Sequence, residues 1–308
     1  MADQSVVEQT VSNWGLCATI KAPTEQVLAF VAHHLDLGAA HLWLFFDDPD
    51  DPAYAQVSRM PRVTATRCDL NYWQALIGKR PEKHQNRQSR NMQSVYKQTG
   101  LPWLGHIDVD EYLLPSREIA EVLAGLDAES LMLRIAPWEA LHDPHLPDDI
   151  FTARHFRAAL RGAEAEPARC RVFGPFAPLF PSGVLSHAAG KCIFRTGLSR
   201  FEPRLHGAFR AGQRVPSGDF NPEIALLHFH AEDPSRWKDR LQFRLTLGAY
   251  QFNPALQEWL LAADTAGLDA LYAAVQTASP PVLAALKAEG ILLQCDLGLR
   301  AKVAALKR

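Results

Sequence analysis

Between residues 14 and 107 the chain alternates strand-length apolar runs with helical patterns, and this order narrows its fold more than any other feature. Trp14–Lys21 reads as a buried strand, and Pro23-Thr24 opens a helix through His34 with Val27, Phe30, Val31 and Leu35 at helical spacing. His41–Phe46 (HLWLFF) is a continuous apolar run ending in Asp47-Asp48-Pro49-Asp50-Asp51-Pro52, and Val63–Arg67 supplies a third strand. His84–Thr99 is a polar amphipathic helix that Gly100 stops. Trp103–Ile107 is then a short strand running into Asp108, Asp110 and Glu111. Strands and helices in this order predict an α/β fold with a mainly parallel central sheet flanked by helices. In such sheets ligands bind beyond the carboxyl ends of the strands, which is where both acidic clusters fall.

Past residue 130 the pattern is looser. Leu131–Ile135, Ile150–Phe156, Lys191–Arg195 and Ala225–His230 read as short strands, and Gly174–Gly190 as a long surface loop or a lid on the acceptor side. From Pro234 the pattern turns helical, with breaks at Asn253-Pro254, Gly267, Pro280-Pro281 and Gly290. The expected division is an α/β domain over 1–235 and a helical C-terminal extension over 236–308 packed on it.

Charge and composition exclude several classes. With 32 basic against 34 acidic residues there is no basic excess for general nucleic-acid binding. Arg195–Arg214 is locally rich in Arg and suits either an anionic ligand or a solvated face. The first residues, Met-Ala-Asp-Gln-Ser, have neither a basic start nor an apolar core, so secretion is not expected. No apolar run approaches the roughly 20 residues that a membrane span needs. Five scattered cysteines without a C-x-x-C argue against a zinc site or a disulfide framework and fit a reduced cytoplasm.

Asp108 and Asp110 stand two apart, so in an extended segment both side chains leave one face. Paired hard oxygen ligands at a strand end suit Mg²⁺ or Mn²⁺, which leave other positions to water and phosphate. A bare D-x-D is a weak signal, since Asp48-Pro49-Asp50 is a second one. The alternative is an acidic turn capping a helix at Ser116–Leu126.

The ordered set HLWLFFDDPDDP, HQNRQSRNMQSVY, WLGHIDVDEYL and LLHFH resembles the family-2-like bacterial glycosyltransferases of GT-A fold. That group carries a W-(I/L)-x-x-x-D-x-D-E-(F/Y) signature and is similar to the family-92 enzymes. The resemblance covers about Trp14 to Trp237 and implies a metal-dependent, inverting glycosyltransferase. Its donor would be a nucleotide-sugar, a UDP-sugar for preference, and its acceptor a glycan or other hydroxyl. Asp47 or Asp48 would contact the base or ribose, the alternative being an Asx turn. Gln85, Asn86 and Arg90 match the polar helix beside the donor, or form a solvent-facing surface. Asp110 would bind the Mn²⁺ or Mg²⁺ ion, with Asp108 on the ribose or on the metal through water, and Glu111 would orient Asp110 or face the acceptor. His228, two from His230, would be a further metal ligand or a hydrogen-bonded core residue, and His106 is read as structural.

A divalent ion would neutralise the leaving diphosphate, with Lys191, Arg195 or Arg200 as an added positive contact. Glu139 or Asp143 would be the general base, or a loop-capping group. A metal-dependent phosphohydrolase and a non-catalytic nucleotide-binding relative are the competing readings. The apolar stripes of the helical tail (Trp237, Leu241, Leu245; Leu256, Trp259, Leu260) are expected to pack on the core. A homo-oligomer contact, or peripheral attachment at the inner membrane, is the lesser use, and Ala301–Arg308 is too short to support attachment.

Overall fold

A computed structural model describes residues 13–186, 188–230, 232–246 and 248–306. Residues 1–12, on which the expectation about secretion rests, and Lys307 and Arg308 of the basic end lie outside the described residues. In chain order the elements are β1 (Trp14–Ile20), α1 (Thr24–Asp36), β2 (His41–Phe46), α2 (Ala53–Val57), β3 (Val63–Arg67), α3 (Leu70–Ile77), α4 (His84–Gln98), β4 (Trp103–His106) and β5 (Glu111–Pro115). There follow α5 (Ile119–Ala124), β6 (Met132–Ala140), β7 (His155–Ala158), α6 (Ala165–Phe173), β8 (Lys191–Arg195), β9 (Phe201–Arg204), β10 (Gly207–Arg210), β11 (Gln213–Arg214) and β12 (Phe220–His228). The remainder is α7 (Pro234–Asp239), α8 (Leu241–Thr246), α9 (Pro254–Ala262), α10 (Thr265–Val275), α11 (Pro280–Ala288), β13 (Leu292–Gln294) and α12 (Leu299–Leu306). The fold is α/β with a mostly parallel central sheet, flanking helices and a helical C-terminal part, consistent with the GT-A-like expectation.

Two compact units divide the chain. Met1–Val109, Pro115–Ile135 and Lys191–Ile224 form the first; Asp110–Leu114, Ala136–Gly190 and Ala225–Arg308 form the second. In this division the helical tail groups with Ala136–Gly190 of the middle of the chain.

In the first unit β4, β1, β2 and β3 run parallel in that spatial order. The registers Ile20↔Phe46 and Phe46↔Arg67 bring the carboxyl ends of β1, β2 and β3 level, while Cys17↔His106 aligns β4 with β1. Strand β1 is paired along both edges, and nearly every residue is apolar and buried, which means that both of its faces are covered as well. Gly15 is required there: a Cβ would lie 2.7 Å from the backbone oxygen of His41 on β2. Strand β8 runs antiparallel to β4 (Gly105↔Ile193), and so its first residue, Lys191, arrives beside the carboxyl end of β4. Met92, Val95 and Tyr96 of α4 pack with Cys17, Phe45, Leu104 and Phe194 into one core cluster. Strands β9 to β11 form a small antiparallel sheet in the stretch read from sequence only as Arg-rich.

The second unit pairs the end of β6 with β7 and β7 with β13, all antiparallel. Its core joins Leu141, Phe173 and Phe180 to Trp237, Tyr250, Leu271, Tyr272 and Leu286. The segment expected to be a loop over Gly174–Gly190 begins as a 3-10 turn over Gly174–Leu179, directly after α6. Phe180 is fully buried, so this segment is anchored rather than a surface excursion. The expected strand at Ile150–Phe156 starts only at His155, and the helix expected over Ser116–Leu126 is preceded by β5. Among the described residues, no helix is long and apolar enough to cross a membrane.

Candidate functional site

Strand β4 stops at His106, and Val109-Asp110 form a turn before β5. The two-residue alternation that placed Asp108 and Asp110 on one face therefore does not govern them, because neither lies in a strand. Asp108 belongs to the first unit and Asp110 to the second.

In the first unit Asp108 stands at the carboxyl end of β4 with its side chain 31% exposed. Lys191 Nζ lies 2.6 Å from its Oδ2, and Gln88 Nε2 donates to its Oδ1 at 2.5 Å. Lys191 is only 2% exposed, so its ammonium needs a close countercharge, and Asp108 supplies it. Beneath them His106 is buried; burial, with the Lys191 charge next, pushes its imidazole down to about 3, and it stays neutral. That agrees with its reading as structural.

Asp47, at the end of β2, does not present open oxygens. Arg87 grips it bidentately (Nε to Oδ1 2.7 Å, Nη2 to Oδ2 2.8 Å), and Arg80 donates to Oδ1 at 3.0 Å. Arg87 also donates to the carbonyls of Pro81 and Glu82, so Asp47 anchors the approach to α4. Asp48 Oδ1 accepts from the Asp50 amide at 3.0 Å, which is the Asx-turn alternative. Arg90 donates to Gln93 on its own helix.

The helix residues that reach the strand ends are others. Arg87 and Gln88 hold Asp47 and Asp108, while Asn91 donates to Thr19 Oγ1 at 2.9 Å and accepts from the Tyr72 hydroxyl. Positions 84, 87, 88 and 91 form one helical stripe. That polar periodicity is the signal for them in the sequence, and apolar spacing alone does not reveal it. His84, on the same stripe, is shifted down by burial and feels the charges of Asp108, Arg87, Asp47 and Lys21. A mixed cluster of cations and carboxylates thus gathers at the carboxyl ends of the parallel strands, where ligands bind in open α/β sheets.

In the second unit Asp110 is 34% exposed and its Oδ2 lies 3.5 Å from His228 Nε2. The Asp110 carbonyl accepts from the Phe229 amide at 2.8 Å, which ties the turn to the end of β12. Burial alone would lower the His228 pKa. The charge of Asp110, its hydrogen bond, and the charges of Glu111 and Glu139 outweigh that and push it up to about 9. His228 and His230 have ring centroids 5.0 Å apart, although only His228 lies in the strand. Arg244 contacts His230 and pairs with Glu232 at 2.8 Å. Glu111 is fully buried on β5.

The two candidate bases differ sharply. Glu139 is 1% exposed; it pairs with fully buried Arg157 and accepts from the amides of Leu185 (3.0 Å) and Ser186 (2.7 Å). Burial would raise its carboxyl pKa, but the Arg157 charge and these donors hold it below the ordinary value. Glu139 thus tethers the backbone at Leu185 and Ser186. Asp143 is more open at 17%, with Oδ1 accepting from the His145 amide at 2.9 Å and Oδ2 3.9 Å from His155 Nδ1. Of the expected phosphate contacts, Arg195 lies over Trp103 and donates to the carbonyls of Asp127 and Ser130, which commits it to the fold.

Whether a divalent ion fits can be judged from the donors. Asp108 already has Lys191 on one oxygen and Gln88 on the other. Asp110 and His228 have suitable chemistry, a hard oxygen and an imidazole nitrogen, though an ion would have to displace the proton on His228. Among the described residues no group of three or more His, Cys, Asp or Glu side chains could hold a metal ion.

No family model matches this chain, and no curated protein matches it. Among solved structures it is similar to HddC from Yersinia pseudotuberculosis, at 9% identity over 60% of this chain and 74% of that one, with a TM-score of 0.30. Residues 1–349 of S. aureus TarS match at 12% identity over 96% and 88%, with a TM-score of 0.35. A CMP:2-keto-3-deoxy-manno-octonic acid synthetase complexed with CTP matches at 15% identity over 41% and 53%, with a TM-score of 0.26. Likenesses this distant decide neither fold nor activity, so the functional reading rests on the residues themselves.

Proposed function

We propose that this chain is a glycosyltransferase that moves a sugar from a nucleotide-diphosphate donor to a hydroxyl acceptor. The observation that carries the reading is the polar cluster of Asp108, Lys191, Gln88, His84 and the Asp47–Arg87 pair at the carboxyl ends of β1, β2 and β4. It supports donor binding because a part-exposed carboxylate, Asp108, stands in a charged cluster beyond the carboxyl ends of parallel strands, where nucleotides bind in such sheets. The D-x-D-E signature at 108–111 adds the resemblance to glycosyltransferases.

In this reading the acceptor hydroxyl attacks C1 of the sugar with inversion, the bond from C1 to the phosphate oxygen breaks, and the diphosphate leaves. Asp143 takes the acceptor proton, since Glu139 is buried and committed to Arg157. Asp110 and His228 would hold a Mn²⁺ or Mg²⁺ ion, which supplies Lewis-acid neutralisation of the leaving group when bound. A UDP-sugar is the favoured donor and a glycan the favoured acceptor.

The test is release of nucleoside diphosphate from UDP- and GDP-sugars, with and without Mn²⁺, on wild type and Asp110→Ala. Release that Asp110→Ala abolishes supports transfer. Cleavage of simple phosphoesters without a sugar donor would instead establish a phosphohydrolase, and binding of UDP or GDP with no turnover would mean a non-catalytic relative.

A further inference from the structure

Strands β2 and β3 pair in parallel with Trp43 opposite Thr64 and Phe45 opposite Thr66, so these four side chains leave one face of the sheet. Leu76 of α3 and Val95 of α4 pack over that face but do not close it, and a cavity of about 520 Å³ stays open there. That volume falls in the range of small-ligand sites, roughly 300–1,000 Å³. The cavity lies away from the charged cluster at the strand ends. Its residue Gln98 follows Gln88 by about 15 Å along α4, and Trp43 and Thr64 lie in the amino-terminal halves of their strands.

The walls have two characters. Trp43, Phe45 and Tyr72 supply aromatic surface, while Thr64, Thr66 and Gln98 supply hydroxyl and amide groups. No lining residue has a charged side chain. The aromatic part is built into the fold. The Tyr72 hydroxyl donates to Asn91 at 2.8 Å, and the Phe45 and Tyr72 rings stand 6.1 Å apart. The Trp43 ring lies against β1 at Gly15, where a Cβ would come within 2.7 Å of Cζ3. On the polar side His41 Nε2 lies 2.8 Å from the Thr64 hydroxyl. A hydroxyl has one donor and two acceptor positions, so one such contact leaves capacity for a ligand.

This lining selects a chemical class. A phosphate or carboxylate would lose hydration here and meet no cation in exchange. A wholly apolar ligand would strip water from the hydroxyls and the amide without replacing it. A neutral saccharide satisfies both parts, because its C–H face stacks on aromatic rings and its hydroxyls donate and accept around the edge.

We propose that this cavity binds a neutral saccharide, with Trp43 and Tyr72 as the stacking surface and Thr64, Thr66 and Gln98 as hydrogen-bonding partners. The site goes beyond the transferase reading and does not depend on it, since a chain that transfers nothing would still bind the saccharide.

The experiment is calorimetric titration of the chain with neutral tetrasaccharides of glucose, mannose, galactose and N-acetylglucosamine, without nucleotide or metal. Wild type is expected to bind at least one of them with a dissociation constant of about 1 mM or tighter. Trp43→Ala should weaken that binding about tenfold or more through loss of the stacking ring. Ala75→Trp, at an exposed position of α3 on the cavity lining, fills the space and should abolish binding with the melting temperature unchanged. It carries the test if Trp43→Ala does not fold. Failure of every tetrasaccharide to bind wild type would overturn the inference. So would binding that Ala75→Trp leaves intact, which would put the saccharide elsewhere on the chain. Uridine binding that Ala75→Trp abolishes, in place of any tetrasaccharide, would make this a base-stacking cavity and overturn the saccharide assignment. Because no nucleotide-sugar is present, these outcomes stand apart from the fate of the transferase reading.

Discussion

Glu139 shows how far a single carboxylate's role depends on what surrounds it. In sequence, Trp138-Glu139-Ala140-Leu141-His142-Asp143 offers two acids in a plausible sector for a base. In the folded chain Glu139 balances the charge of Arg157, itself fully buried, and carries the amides of Leu185 and Ser186. Replacing it by Gln leaves the guanidinium without its counterion, which is expected to cost about 3–5 kcal/mol in urea unfolding. The pH dependence has a definite sign. Because the folded carboxyl pKa lies below its unfolded value, the pair's contribution is full above the unfolded value of about 4.3 and is lost as pH falls through the folded one. Urea midpoints between pH 3 and 7 should therefore fall on the acid side in wild type, and less steeply in Glu139→Gln. A Glu139 acting only as a base would leave stability unchanged on substitution.

At the scale of elements, α4 is the part that assembles the strand ends. Its mean composition is polar, yet Arg87 is 8% exposed and Asn91 is fully buried. The helix packs through two stripes, an apolar one of Met92, Val95 and Tyr96 in the core cluster and a polar one carrying Arg87, Gln88 and Asn91. Asp47 fixes the start of this helix through Arg87 and the carbonyls that Arg87 in turn engages. Asp47→Asn is expected to destabilise the chain by about 3 kcal/mol, as loss of one partner of a largely buried pair does. A ribose-binding Asp47 would instead weaken nucleotide affinity with little change in the melting temperature. Chemical denaturation and UDP titration of the same variant separate the two.

For the whole molecule, the helical tail shares a core with the middle of the chain instead of forming a separate piece. Trp237, Tyr250, Leu271 and Leu286 are 0–3% exposed and cluster with Leu141, Phe173 and Phe180. A chain ended at residue 235 would bare that cluster, so it is expected to be insoluble or rapidly cleaved in limited proteolysis. A truncated chain that unfolded as cooperatively as the full one would contradict this organisation.

What the sequence alone determined is local and periodic. The spacing of apolar residues placed β1, β2, β3, α1, α4 and β8 within a residue or two, since short-range periodicity reports which face an element buries. The DDPDD turn and the end of β4 were legible for the same reason. The partners of each charged side chain were not legible, because they are set by contacts far apart along the chain. Asp108 meets Lys191 from 83 residues away, and Asp47 meets Arg87 from 40 away. Glu139 meets amides 46 and 47 residues on. The register of β8 on β4 and the face that α4 turns inward decide that Asp108 and Asp47 are held by cations, and the pairing of β6 with β7 decides it for Glu139.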